Sequence, residues 1–245
     1  MRTCIFCGGR AGSREHLWPQ WILDKVKPGQ MRGFIGRRRD LKFGREFTVR
    51  TICRACNSGW MSDIETANRP ILGAMIDDKS CALFEGERTA IAVWALKTAM
   101  MMDSVPRADV PLFYTQQERH SLRASAEIPS STLIWMGRYF GRNDVAAHWS
   151  GVNFKYENKK GPSRVATFIL GSLALQVMTM HQRFGTVIVT PKKGPWDHLL
   201  VETWPCNGVF RVYWPPILAF DDRIPILHVS TLHDRWHVGE ELPLI

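Results

Sequence analysis

Two cysteine pairs with the same internal spacing, Cys4-Ile5-Phe6-Cys7 and Cys53-Arg54-Ala55-Cys56, constrain this chain more than any other feature. A C-x-x-C turn presents two thiolates from one side, and two such knuckles together supply the four ligands of a tetrahedral zinc site. The other reading of each pair is a redox disulfide, but neither lies in a thioredoxin-like strand–helix context. Zinc held by Cys4, Cys7, Cys53 and Cys56 would tie residue 4 to residue 56. With four thiolates it would also be closed to substrate, so any chemistry must come from the residues it clamps. Cys81 and Cys206 stand alone and read as small core residues.

The clamped residues include Glu15-His16-Leu17-Trp18-Pro19, between the knuckles, and Asn57, directly after the second one. In these elements the chain resembles the zinc-bearing HNH endonucleases, which place an acidic residue, His and a nearby Pro between two C-x-x-C pairs and follow the second pair with His or Asn. The resemblance covers roughly residues 1–65 and implies a ββα-metal fold. It further implies that His16 is the general base, and that Glu15 and Asn57 are ligands of one catalytic Mg²⁺ or Mn²⁺. It departs at one place. The family's middle Asn, a few residues before the second pair, is missing from Phe47-Thr48-Val49-Arg50-Thr51-Ile52, where Thr48 or Thr51 would have to supply the hydrogen bond.

The chemistry of these residue types agrees with that role independently. Phosphodiester hydrolysis needs a water deprotonated near neutral pH, which His can do, and a divalent cation to offset charge on the phosphate and leaving oxygen. Hard oxygen donors such as Glu and Asn suit Mg²⁺ or Mn²⁺. Glu15 and His16 are adjacent, so both can serve one site only where the strand is irregular, since consecutive strand residues point to opposite faces.

Charge points the same way. Residues 1–62 hold thirteen basic against four acidic residues and so carry the whole net charge of +9, while the remainder is balanced at nineteen of each. A basic segment on a neutral body predicts a polyanion partner, nucleic acid and most simply DNA. Arg37, Arg38, Arg39, Lys42, Arg45 and Arg54 are the expected phosphate contacts. Trp18, Trp21 and Trp60 lie near the motifs and read as core plugs before base-stacking platforms.

Beyond the knuckles, residues 27–46 contain four glycines without a clean period and predict a flexible or hairpin-like basic loop, followed by a strand in Glu46–Ile52. Ser62 and Glu65 have capping-box spacing, which predicts a helix from Ser62 at least to Pro70. Glu87–Asp103 is the strongest helical window, and Thr115 with Glu118 predicts a third helix ending before Pro129. From Ser131 onward short apolar-aromatic runs predict a mostly antiparallel sheet, curved or closed into a barrel. The expected fold is therefore α+β. A small zinc-clamped HNH-like domain (1–65) precedes a larger mixed domain (66–245) with helices and then the sheet. That larger part matches no motif, and is expected to regulate the nuclease by sensing, oligomerisation or an activating partner, or else to position substrate.

No uninterrupted apolar stretch approaches the ~20 residues of a membrane span, and the N-terminus lacks a signal-type apolar run, so a cytoplasmic location is expected. His228, His233 and His237 lack a familiar ligand pattern, and His181 reads as a strand-end residue. The functional expectation is a metal-dependent HNH-type endonuclease, in restriction or phage defence by family analogy. Its alternative is a non-catalytic, zinc-clamped nucleic-acid-binding or regulatory module.

Overall fold

A computed structural model describes residues 2–26, 31–35, 40–43, 48–105, 112–141, 145–156, 159–181, 189–191, 198–206, 208–221 and 236–238. The chain is mixed α and β. Strand β1 (Ser13–His16) leads through Pro19 into the short helix α1 (Gln20–Lys25). Strands β2 (Met31–Ile35) and β3 (Asp40–Phe43) form an antiparallel pair inside the segment expected to be a basic loop. Strand β4 (Thr48–Ile52) then returns antiparallel to β1.

From Arg54 the chain runs to Ile76 as helix with one kink, at Gly59, whose φ −103° and ψ −118° are not helical. A single turn, α2 (Arg54–Cys56), passes through a π-turn at Asn57–Met61 into α3 (Ser62–Ile76). One expectation is corrected here. Helix α3 starts at Ser62 and passes Pro70, as the sequence predicts, but not through a capping box: Met61 before it already has helical backbone and no side chain caps this start. The side-chain cap belongs to α2, where Cys53 Sγ accepts the backbone N–H of Cys56 at 3.3 Å. Pro70, which has no N–H to give to the preceding turn, lies on the exposed side of α3. Glu65, released from capping, pairs with Lys97.

Strand β5 (Cys81–Phe84) runs into the long helix α4 (Glu85–Asp103), buried from Ile91 to Asp103 at every position. A helix buried on all sides belongs inside a core, and α4 packs against α3 and against the sheet. Helix α5 (Gln116–Ser125) begins at the expected capping box, with Thr115 Oγ1 accepting from the Glu118 N–H and the Glu118 carboxylate accepting from the Thr115 N–H.

The main sheet contains β6 (Thr132–Tyr139), β7 (Val145–Tyr156), β8 (Lys159–Leu170), β9 (Leu173–Met180) and β11 (Leu200–Trp204), after the short β10 (Val189–Pro191). Its order is β11-β6-β9-β8-β7-β2-β3, and β13 (Ala219–Phe220) also pairs with β6. All pairings in it are antiparallel except β2 with β7 and β13 with β6. Strand β12 (Arg211–Trp214) pairs with β5 apart from this sheet, and β14 (Trp236–Val238) pairs with β10.

The buried core passes residue 65 without a break. Trp18 is 2% exposed, with Trp94 of α4 stacked at 6.3 Å and Phe168 of β8 edge-on at 5.3 Å. The basic hairpin β2–β3 is an edge of the sheet formed by the second half of the chain. Among the described residues, no helix is long and apolar enough to cross a membrane.

Candidate functional site

The first knuckle is a tight loop. Thr3 and Arg10 pair across it, the Cys4 N–H donates to the Gly9 carbonyl at 2.7 Å, and the Gly8 N–H donates to Cys4 O at 2.9 Å. Gly8 sits at φ 72°, left-handed backbone that a side chain would strain. The second knuckle is the start of the helical run. Pairing of β1 with β4 brings the two together, since the Ile5 N–H reaches Thr51 O at 3.0 Å and the Gly12 N–H reaches Ile52 O at 3.0 Å.

The Sγ atoms of Cys4, Cys7, Cys53 and Cys56 all lie within 4.8 Å of one another, and Cys7 and Cys53 are 3.5 Å apart. Tetrahedral zinc with Zn–S bonds of about 2.3 Å needs sulfurs separated by roughly 3.8 Å, so the donor set fits zinc in both chemistry and size. Backbone N–H groups of Gly9 and Cys56 point at the sulfurs of Cys7 and Cys53. Burial opposes ionisation of Cys53, but the Cys56 N–H and the neighbouring thiols outweigh it and hold this thiol down at about 7. Burial pushes Cys56 and Cys7 up.

Beside this centre a polar cavity of about 550 Å³ is lined by Arg14, Glu15, His16, Pro19, Gln20, Trp21, Asp24, Asn57, Glu65 and Arg69. Glu15, His16 and Asn57, drawn from two separate stretches of sequence, thus share one cleft. The pairing of β1 with β4 is irregular between Ser13 and Glu15, where Arg14 of β1 faces both Arg50 and Thr51 of β4. Such a bulge re-aims side chains locally, and both members of the Glu15-His16 pair reach the cleft. Asn57 Nδ2 donates to Ser13 Oγ at 2.6 Å, tying the helical run to β1. Burial pushes the Glu15 carboxyl up to about 7; the nearby Glu65 carboxylate raises it further, and Lys97 works against both.

The two threonines in place of the middle Asn have separate fates. Thr51 Oγ1 is hydrogen-bonded to Ser104 Oγ at 2.8 Å, while Thr48 is the register partner of His16. Trp18 is in the core, Trp60 packs edge-on against Phe6 at 5.0 Å, and Trp21 lines the cleft with the Arg69 guanidinium 6.0 Å above its ring. Glu65, Arg14 and Arg69 were not singled out as site residues by sequence. Glu65 resembled a cap, and no spacing signal connects α3 with β1.

Of the expected phosphate contacts, Arg54 is exposed beside the second knuckle, and the backbone of Lys42 is in β3. Arg37, Arg38, Arg39 and Arg45 lie outside the described residues, as do His228, His233 and the side chain of His237. His181 follows β9, stacked on Phe113 at 4.1 Å and bonded to Glu118 at 2.8 Å. Comparison of the chain with protein-family models, curated proteins and solved structures gives no match.

Proposed function

We propose that the protein is a metal-dependent, HNH-type endonuclease that hydrolyses phosphodiester bonds in nucleic acid, with DNA the expected substrate. The observation that carries this reading is the meeting of Glu15, His16 and Asn57 in one open polar cleft beside the four-cysteine centre. Arg14 and Arg69, exposed on the same cleft, supply cations where a phosphodiester would enter. The antiparallel pairing of β1 with β4 and the helical run that follows β4 support this reading, with α1, β2 and β3 between the two strands.

Within this reading the zinc centre is structural, since four thiolates leave no open ligand position. Glu15 and Asn57 offer hard oxygens that fit Mg²⁺ or Mn²⁺. Such an ion, when bound, supplies positive charge against the scissile phosphate and the leaving oxygen. His16, half-buried at the end of β1, accepts the proton of the attacking water. The Asn57 bond to Ser13 keeps the helical run in register with the strand that carries Glu15 and His16.

Cleavage of supercoiled plasmid, single-stranded DNA and RNA with Mg²⁺ or Mn²⁺ tests the proposal. His16→Ala should lower kcat by about 10²–10⁴-fold with zinc content and DNA affinity retained, because a base acts on the water and adds little ground-state binding. Glu15→Ala and Asn57→Ala should instead raise the Mn²⁺ concentration needed for activity. Wild-type protein that binds DNA but cleaves none of these substrates with either ion would leave a zinc-clamped binding module as the function.

A further inference from the structure

Directly behind the cleft lies a charge that the proposed chemistry does not use. Lys97 of α4 is 0% exposed, with Nζ donating to Glu65 Oε1 at 3.0 Å and lying 5.8 Å from the Trp94 ring centre. Buried ion pairs are commonly no more stable than the apolar residues that could replace them, so stability alone is a weak reason for this one. Its placement is more informative. The Glu65 side chain keeps 19% exposure and lines the cleft, so the pair joins the protein interior to the site.

Glu15 is 8% exposed, lines the same cleft, and accepts no hydrogen bond among the described residues. Lys97 and Glu65 are both close enough for their charges to act on it. When Glu15 is ionised, two carboxylates outnumber the one ammonium on this wall, and both Glu15 and Glu65 line the cavity. A hard divalent cation has the matching charge, and Mg²⁺ or Mn²⁺ retains several waters that need acceptors beyond the direct ligands.

We propose that Glu65 belongs to the divalent-cation site of the cleft, as an outer-sphere acceptor for the hydrated cation held by Glu15 and Asn57, and that Lys97 is the fixed counter-ion holding Glu65 in place. This inference rests on the metal-dependent reading above and adds a positioning pair to it. The pair joins α3 and α4, so the helix at the centre of the core becomes part of the support of the ion site.

Mn²⁺ binding to the zinc-loaded full-length protein, measured by calorimetry or by the loss of the free-Mn²⁺ paramagnetic resonance signal, tests it. Glu65→Gln should weaken Mn²⁺ about tenfold, within the range for outer-shell partners, with zinc content unchanged. The double variant Glu65→Gln with Lys97→Met removes one negative and one positive charge together, so no buried charge is left unpaired and the net charge of the wall stays as in the wild type. Weaker Mn²⁺ binding in this variant therefore reports the lost Glu65 oxygen, and the double variant decides the matter if the single one does not fold. Wild-type Mn²⁺ affinity in the folded double variant, with binding abolished by Glu15→Gln, overturns the role of Glu65 alone. A wild-type protein that binds no Mn²⁺ overturns the cation site itself, and the proposed function with it.

Discussion

The Glu118 carboxylate accepts from the Thr115 N–H at 2.7 Å and the Thr115 hydroxyl at 2.9 Å, closing the first turn of α5, and also faces His181 Nε2 at 2.8 Å. Burial pushes this carboxyl up, but the His181 bond and charge together with the Thr115 donors outweigh it and hold Glu118 below the usual glutamate value. A depressed folded-state pKa contributes stability above the ordinary glutamate range, and this is lost as pH falls through the depressed value. Glu118→Gln keeps an acceptor for the cap but loses the charge. It should lower the melting temperature near neutral pH by about 2–4 °C, the shift expected for about 1 kcal/mol in a chain of this size. As pH falls below the ordinary glutamate range and through the depressed value, the gap to the wild type should close. Thermal melts at both ends of this range decide it, since an equal deficit at both would assign the effect to capping geometry. Sequence spacing alone found this cap, yet the same spacing at Ser62 and Glu65 marked a helix start that no side chain caps. A four-residue pattern cannot report whether the preceding turn is already helical, nor that a lysine thirty-two positions later will claim the glutamate.

At the level of elements, the β8–β9 turn shows how the sheet is seated on the helices. Gly171 has φ 54°, and a Cβ there would lie 2.7 Å from the carbonyl oxygen of Ile76 at the end of α3, the same oxygen that accepts the Ser172 N–H at 3.1 Å. Both the backbone conformation and the close approach demand glycine. Gly171→Ala should destabilise the protein by about 1–3 kcal/mol, seen as a lower denaturant midpoint with an unchanged slope. Most of these elements were legible beforehand: the Glu87–Asp103 periodicity, the apolar runs of β6, β8 and β9, and the cysteine spacing each carry a local signal. The pairings β2–β7 and β5–β12 were not legible, because each joins strands more than a hundred residues apart through backbone groups that every residue possesses. The cleft was legible only in its motif residues. Arg69 reaches it from α3 and Trp21 from α1, two helices that pack on each other and that no local spacing connects.

For the whole molecule, the decisive contact is Trp18, from the segment between the knuckles, packed against Trp94 and Phe168. Trp18→Ala leaves a cavity where three aromatic rings meet and should cost about 3–5 kcal/mol. Because the core is shared, release of zinc to a chelating indicator and the change in tryptophan fluorescence should fall on one unfolding curve. Two separated transitions would show that residues 1–65 hold together independently of the rest. The same shared core imposes an order in time on the growing chain. All four sulfurs of the zinc centre are available once Cys56 has been made, but Phe168, the far wall behind Trp18, is translated over a hundred residues later. At about 10 residues per second the interval is roughly 10 s. During that interval the nascent chain can hold zinc while Trp18, two residues from His16, has no wall behind it, so the support beneath the cleft is completed only once β8 has been made.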